Sequence, residues 1–158
     1  MRISSFDGRG NNPGVWQGRA AHLLEAAEPL ADKAGFGPGR SMSIEPRIML
    51  MPVALMLRAF AVECLLKARW LKTPGARLAK EGSWVPIPGI NNHDLVGLAR
   101  TTRFRLSTAQ ISVLNRLTHF SVWGRYPIES HWSKHQGRSF WESADERTFG
   151  QIVERLKS

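Results

Sequence analysis

Cysteine is almost missing from this chain. Cys64 is the only one in 158 residues, so no internal disulfide can brace the fold, and a reducing cytoplasm is the expected home. Acid is scarce beside base: 13 Asp+Glu face 22 Lys+Arg, for a net charge of +9. Long apolar runs are lacking too. The greasiest stretch, residues 48–57, contains Pro52 and runs straight into Arg58, well short of the roughly 20 residues a membrane-spanning helix needs. The opening Met1-Arg2-Ile3-Ser4-Ser5-Phe6-Asp7 has no apolar core of a signal peptide, so neither export nor a membrane partner is expected. No glycine-rich phosphate loop precedes a helix, which argues against nucleotidyl transfer by this chain. Cys64 sits in an apolar run, where burial would raise its pKa and deny it a nucleophile's role.

What is present is base, concentrated in one place. Between Arg100 and Arg138 stand seven cations (Arg100, Arg103, Arg105, Arg116, Arg125, Lys134 and Arg138) against the single acid Glu129, so this segment carries +6 of the net +9. Such a field attracts a polyanion. Arginine outnumbers lysine 16 to 6, which suits bidentate phosphate contacts; a GC-rich genome would give the same bias. Trp123, Tyr126, Trp132 and Trp141 are interleaved with these cations. Aromatics among cations serve base stacking beside phosphate contact, and they equally serve to anchor a loop on a core. A basic surface that only aids solubility is the plainer reading of the same charge.

The periodicity is helical, and no strand pattern competes. Gly8, Gly10, Asn11, Asn12, Pro13 and Gly14 mark residues 1–14 as a loose, flexible arm, and residues 15–158 then read as one all-α domain of four to five helices. Trp16, Ala20, Leu23, Leu24, Ala27 and Leu30 recur every three or four residues and predict a helix over 15–33. A longer one is expected over 46–72, with Ser43 as a candidate N-cap and with Met49, Val53, Met56, Phe60, Cys64 and Leu71 as its apolar stripe. Pro52 should kink that helix or mark its true start. Glu63 and Lys67 are one turn apart at the stripe's edge, the position of a half-buried, mutually compensated pair. Residues 73–92 read as loop. Asp94 caps a short helix near 93–98, Ser107 and Gln110 make a capping box for the next, and Ser143 and Glu146 make another for the last.

Ala61, Glu63 and Lys67 on a long helix, then His93-Asp94-Leu95, then a helix closing on Arg125-Tyr126-Pro127, together resemble the HEPN superfamily over residues 46–128. The resemblance implies a compact helical bundle, commonly a homodimer. Many members are metal-independent ribonucleases of toxin–antitoxin, abortive-infection and other defence systems; others are noncatalytic interaction or small-ligand modules. Catalytic members carry an arginine, four to six residues, and a histidine. Arg125 and His131 have five residues between them and fit. Arginine would hold the scissile phosphate while a neutral histidine takes the 2′-hydroxyl proton. By the same resemblance Glu63, Lys67 and Tyr126 would flank the site, no metal or other cofactor is called for, and an antitoxin or a separate nucleotidyltransferase is a possible partner. Pro127 departs from the catalytic pattern, because a proline two places after the arginine disfavours a continuous helix. Arg-Tyr-Pro also fits noncatalytic members, whose arginine closes a helix C-terminus.

Two other readings come from different classes. His131 and His135 have the four-residue spacing of two metal ligands on one helix face, but further ligands would have to come from distant His93, Asp94 or His119. Arg100 to Arg105 ahead of the Ser107 helix has the charge of a DNA-binding helix-turn-helix, with a connection too long for its tight turn.

Overall fold

A computed structural model describes residues 3–35, 44–90, 93–123 and 141–158. Among them are six helices and one two-stranded hairpin: α1 (Ile3–Gly10), α2 (Pro13–Lys33), α3 (Ile44–Leu71), β1 (Ala79–Lys80), β2 (Ser83–Trp84), α4 (Leu95–Thr101), α5 (Thr108–Trp123) and α6 (Ser143–Lys157). The helical character of the all-α reading holds, while the expected four to five helices are six among the described residues, with α1 arising from the expected arm. Helix α3 is the central element and packs on α2, α4, α5 and α6.

That central place explains why the expected stripe on α3 is displaced. Met49 is 67% exposed, whereas Met51, Ala54, Leu55, Ala59, Val62, Leu65 and Leu66 are buried. A helix covered on several sides is apolar around most of its circumference, so no single stripe marks its buried face. By length and composition the stretch Met49–Leu71 could cross a membrane; here its side chains build the core of the bundle. The helix continues through Pro52. Ser43 lies outside the described residues.

The other faces follow the periodicity. Ala20, Ala27 and Ala31 bury one side of α2; Leu114, Leu117 and Phe120 that of α5; Phe149, Ile152, Val153 and Leu156 that of α6. Ser107 and Gln110 cap reciprocally, the Ser107 N–H donating to Gln110 Oε1 (3.0 Å) and the Gln110 N–H to Ser107 Oγ (3.3 Å). Helix α6 starts one residue ahead of the expected box. Its cap is Glu142, whose N–H donates to Asp145 Oδ2 at 3.0 Å.

Residues read as a loose arm form α1, and the stretch read as loop contains the hairpin; the two explain each other. Lys80-Glu81-Gly82-Ser83 turns with positive φ at both Glu81 (53°) and Gly82 (77°), the geometry of a type I′ hairpin. The amides of those two residues donate to the Asp7 carboxylate at 2.7 and 3.0 Å. Asn11 clasps β1 as a further strand would: its Nδ2 donates to the Ala79 carbonyl (2.8 Å), and its Oδ1 accepts from the amides of Leu78 (2.7 Å) and Ala79 (3.0 Å). A side-chain Cβ at Gly10 would sit 2.7 Å from that of Ala79, so the close approach requires glycine. Two-residue strands leave no alternation to read, and these partners lie about seventy residues apart in sequence.

Candidate functional site

The docked hairpin carries Trp84 to the side of α3, and there a polar cluster forms. Lys67 Nζ donates to Glu63 Oε1 at 2.5 Å and lies over two indole faces, 4.8 Å from the Trp84 ring centre and 5.1 Å from that of Trp16. The second carboxylate oxygen is taken from another element. His93 Nδ1 donates to Glu63 Oε2 at 2.7 Å. Side-chain exposures of 13% for Glu63, 16% for Lys67 and 27% for His93 make this a half-buried cluster and not a surface ion pair.

His93 is placed by a left-handed backbone, φ 64°, which a non-glycine residue adopts at some cost. Immediately after it, the Asp94 side chain accepts from the Gly97 N–H at 2.9 Å and caps α4. The Leu95 amide donates to Thr118 Oγ of α5 at 3.2 Å. His93 immediately precedes the Asp94 cap of α4; its bond to Glu63, thirty residues away, is the part that sequence did not reveal.

Together these side chains wall a pocket of about 250 Å³, with Trp84, Pro86, Ile87, Ile90, Asp94 and Leu98 supplying the rest of the lining. Burial works to raise the pKa of Glu63, but the charge and hydrogen bond of Lys67, then those of His93, outweigh it and hold the carboxyl below its ordinary 4.5. Because a carboxylate only accepts, His93 Nδ1 is the donor in that bond. The depressed pKa fixes the sign of a pH effect. Glu63 contributes stability above the carboxyl's unfolded pKa, and that contribution is lost as pH falls through the lower folded value. Parent and Glu63→Gln proteins should thus differ in urea midpoint at neutral pH and converge only as pH falls below the ordinary carboxyl range; a gap that persists into strong acid would contradict this.

The remaining expected site residues separate. Arg103 and Arg105 line a second pocket with Arg69 and Arg155, and Arg100 is exposed in the last turn of α4. Arg116 is engaged within the fold. Its Nη2 donates to Asp145 Oδ1 at 2.6 Å and to Ser112 Oγ at 3.3 Å, tying α5 to α6. Arg125, Tyr126, Pro127, His131, Lys134, His135 and Arg138 lie outside the described residues. Cys64 is buried with its pKa raised to about 11, by burial first and then by the Glu63 charge, so it is a thiol near neutral pH. Among the described residues no group of three metal-ligating side chains converges.

Arg58, which in the sequence marks only the end of the apolar stretch, is a buried cation at a helix junction. It is 1% exposed, donating to Glu146 Oε2 (2.7 Å) and Glu28 Oε1 (3.2 Å), with its guanidinium carbon 4.8 Å from the centre of the Phe149 ring. An arginine inside a helix apolar on all sides was the available signal, because a buried cation requires partners.

Comparison of the chain with protein-family models, with curated proteins and with solved structures finds no match.

Proposed function

We propose that this is an RNA-directed, HEPN-like helical module that cuts RNA without a metal, using Arg125 and His131. One observation carries the reading. Two of the three motifs behind the HEPN resemblance, Glu63/Lys67 and His93-Asp94-Leu95, meet through the Glu63–His93 hydrogen bond in a single pocket. The third begins two residues beyond the end of α5, the helix whose Thr118 holds the first amide of α4. The concentrated positive charge from Arg100 to Arg138 supplies attraction for the substrate.

In this mechanism a neutral His131 imidazole takes the proton of the ribose 2′-hydroxyl. The 2′-oxygen forms a bond to phosphorus, and the bond from phosphorus to the 5′-oxygen breaks. That oxygen leaves with a proton from a second, protonated imidazole, such as a homodimer provides, giving a 2′,3′-cyclic phosphate and a 5′-hydroxyl. Arg125 holds the phosphate oxygens and stabilises the charge that gathers on them. By the resemblance, Glu63 and Lys67, with His93 bonded to Glu63, would flank the site. An antitoxin or a nucleotidyltransferase encoded separately fits the same reading as a regulating partner, in a toxin–antitoxin or phage-defence setting.

A general base contributes about 10²–10⁴-fold to such a reaction. His131→Ala should therefore lower cleavage by roughly a thousandfold while RNA affinity stays within about twofold, and Arg125→Ala should lose both rate and affinity. Cleavage by His131→Ala at the parent rate would remove His131 from the mechanism. A second reading, a noncatalytic module for dimerisation or for binding a partner or ligand, is favoured by the occupied Glu63 carboxylate and by the largely apolar lining of its pocket. It predicts no product under any of these conditions.

A further inference from the structure

At the opposite end of α4 from His93, four arginines from three segments converge. Arg69 at the end of α3, Arg103 and Arg105 after α4, and Arg155 of α6 line a pocket of about 330 Å³ with Phe104 and Ser158. None of the four is paired with a carboxylate among the described residues. Four cations so close repel one another, and two are held in place all the same. Arg69 Nε donates to the Thr102 carbonyl at 3.2 Å, while Arg155 donates to Gln110 Oε1 (3.0 Å) and to the Arg105 carbonyl (2.9 Å). Both guanidiniums lie by the Phe104 ring, at 5.6 and 4.5 Å from its centre. The contacts fix the two heads in advance, so little side-chain freedom is left to lose when an anion arrives.

Arg103 adds a backbone observation. It follows Thr102, the C-cap of α4, with φ 55°, and the Phe104 amide donates back to the Ala99 carbonyl at 2.8 Å. This is the helix-ending turn in which glycine is the preferred residue. An arginine there is a local cost that helix termination does not require.

We propose that Arg69, Arg103, Arg105 and Arg155 form a preorganised phosphate cradle that grips the backbone of single-stranded RNA at the far end of α4 from the Glu63 pocket. The seven residues of α4 separate this cradle from the Glu63 pocket, roughly 10 Å at 1.5 Å per residue, so one strand can run along α4 and meet both. The choice of RNA rests on the function proposed above; the anion chemistry of the cradle does not.

The test is the affinity of a short, labelled single-stranded RNA for the full chain carrying His131→Ala, in EDTA, over a range of salt. Arg105→Gln removes a guanidinium and keeps the carbonyl that Arg155 uses. Arg103→Gly removes another and puts glycine where the backbone favours it, so its Tm should equal or exceed that of the parent and exclude unfolding as the cause of a loss. Each change should weaken binding by about three- to tenfold and reduce the log–log salt slope by about 0.7, the value for one phosphate contact on a single strand. Unchanged affinity and slope in both variants would overturn the cradle. A phosphoserine peptide that binds here while RNA does not would overturn RNA as its ligand. Cradle-dependent RNA binding by a His131-intact protein that cuts nothing would support the cradle and overturn only the nuclease.

Discussion

Glu63→Ala should destabilise the protein by about 3 kcal/mol, the low end for removing one partner of a buried ion pair, and lower the Tm by roughly 10 °C. The carboxylate accepts from Lys67 and His93 at once. Its loss leaves an ammonium and an imidazole facing each other in a half-buried pocket. Lys67 would keep the faces of Trp16 and Trp84, a partial substitute that sets the estimate at the low end. The damage should also be local. His93 leads directly into α4, so hydrogen exchange at the amides of residues 98–102 should quicken more than in α2 or α6. Glu63→Gln keeps one acceptor oxygen, for Lys67 or for His93 but not for both, and should recover only part of the loss. A Glu63→Ala protein as stable as the parent would mean that the cluster is solvated and holds nothing.

Glu146→Ala should cost more, about 3–5 kcal/mol. It takes the closest carboxylate from Arg58, which is 1% exposed, and removes the acceptor that Trp141 Nε1 uses at 2.7 Å. Glu28 stands 3.2 Å from Arg58 but is itself 60% exposed and well screened. Arg58→Met, which fills similar space without a charge, should be the milder change, because an apolar replacement carries no desolvation cost. Urea unfolding of both variants checks the order: Arg58→Met falling further than Glu146→Ala would show that the ion pair is a net contributor and not merely a compensated burial.

These two clusters show where the sequence was legible. Amphipathic helices with regular caps could be read in advance, as with α2, α5 and the apolar face of α6. The pair Glu63–Lys67 was legible because its partners are one turn apart on one helix. Its third member was not, since His93 reaches Glu63 through a left-handed backbone and a thirty-residue excursion. Nor were α1 and the hairpin, which depend on each other through Asp7 and Asn11 and carry no periodicity long enough to detect. Arg58 was hidden for a different reason. On a helix apolar on all sides, sequence spacing does not tell which cation turns inward.

Arg103 and Arg105 stand out in the sequence by charge, whereas Arg69 and Arg155, which complete their pocket, are spread through the chain and stand out only in space. Arg116 shows the converse: charge singled it out, and Asp145 engages it.

The most direct test of the account is incubation of the purified chain with a mixed RNA pool in EDTA, beside Arg125→Ala and His131→Ala, with analysis of the product ends. The account predicts cleavage by the parent alone, leaving 2′,3′-cyclic phosphate and 5′-hydroxyl termini. Intact RNA, or cleavage restored only by a divalent metal, would contradict it.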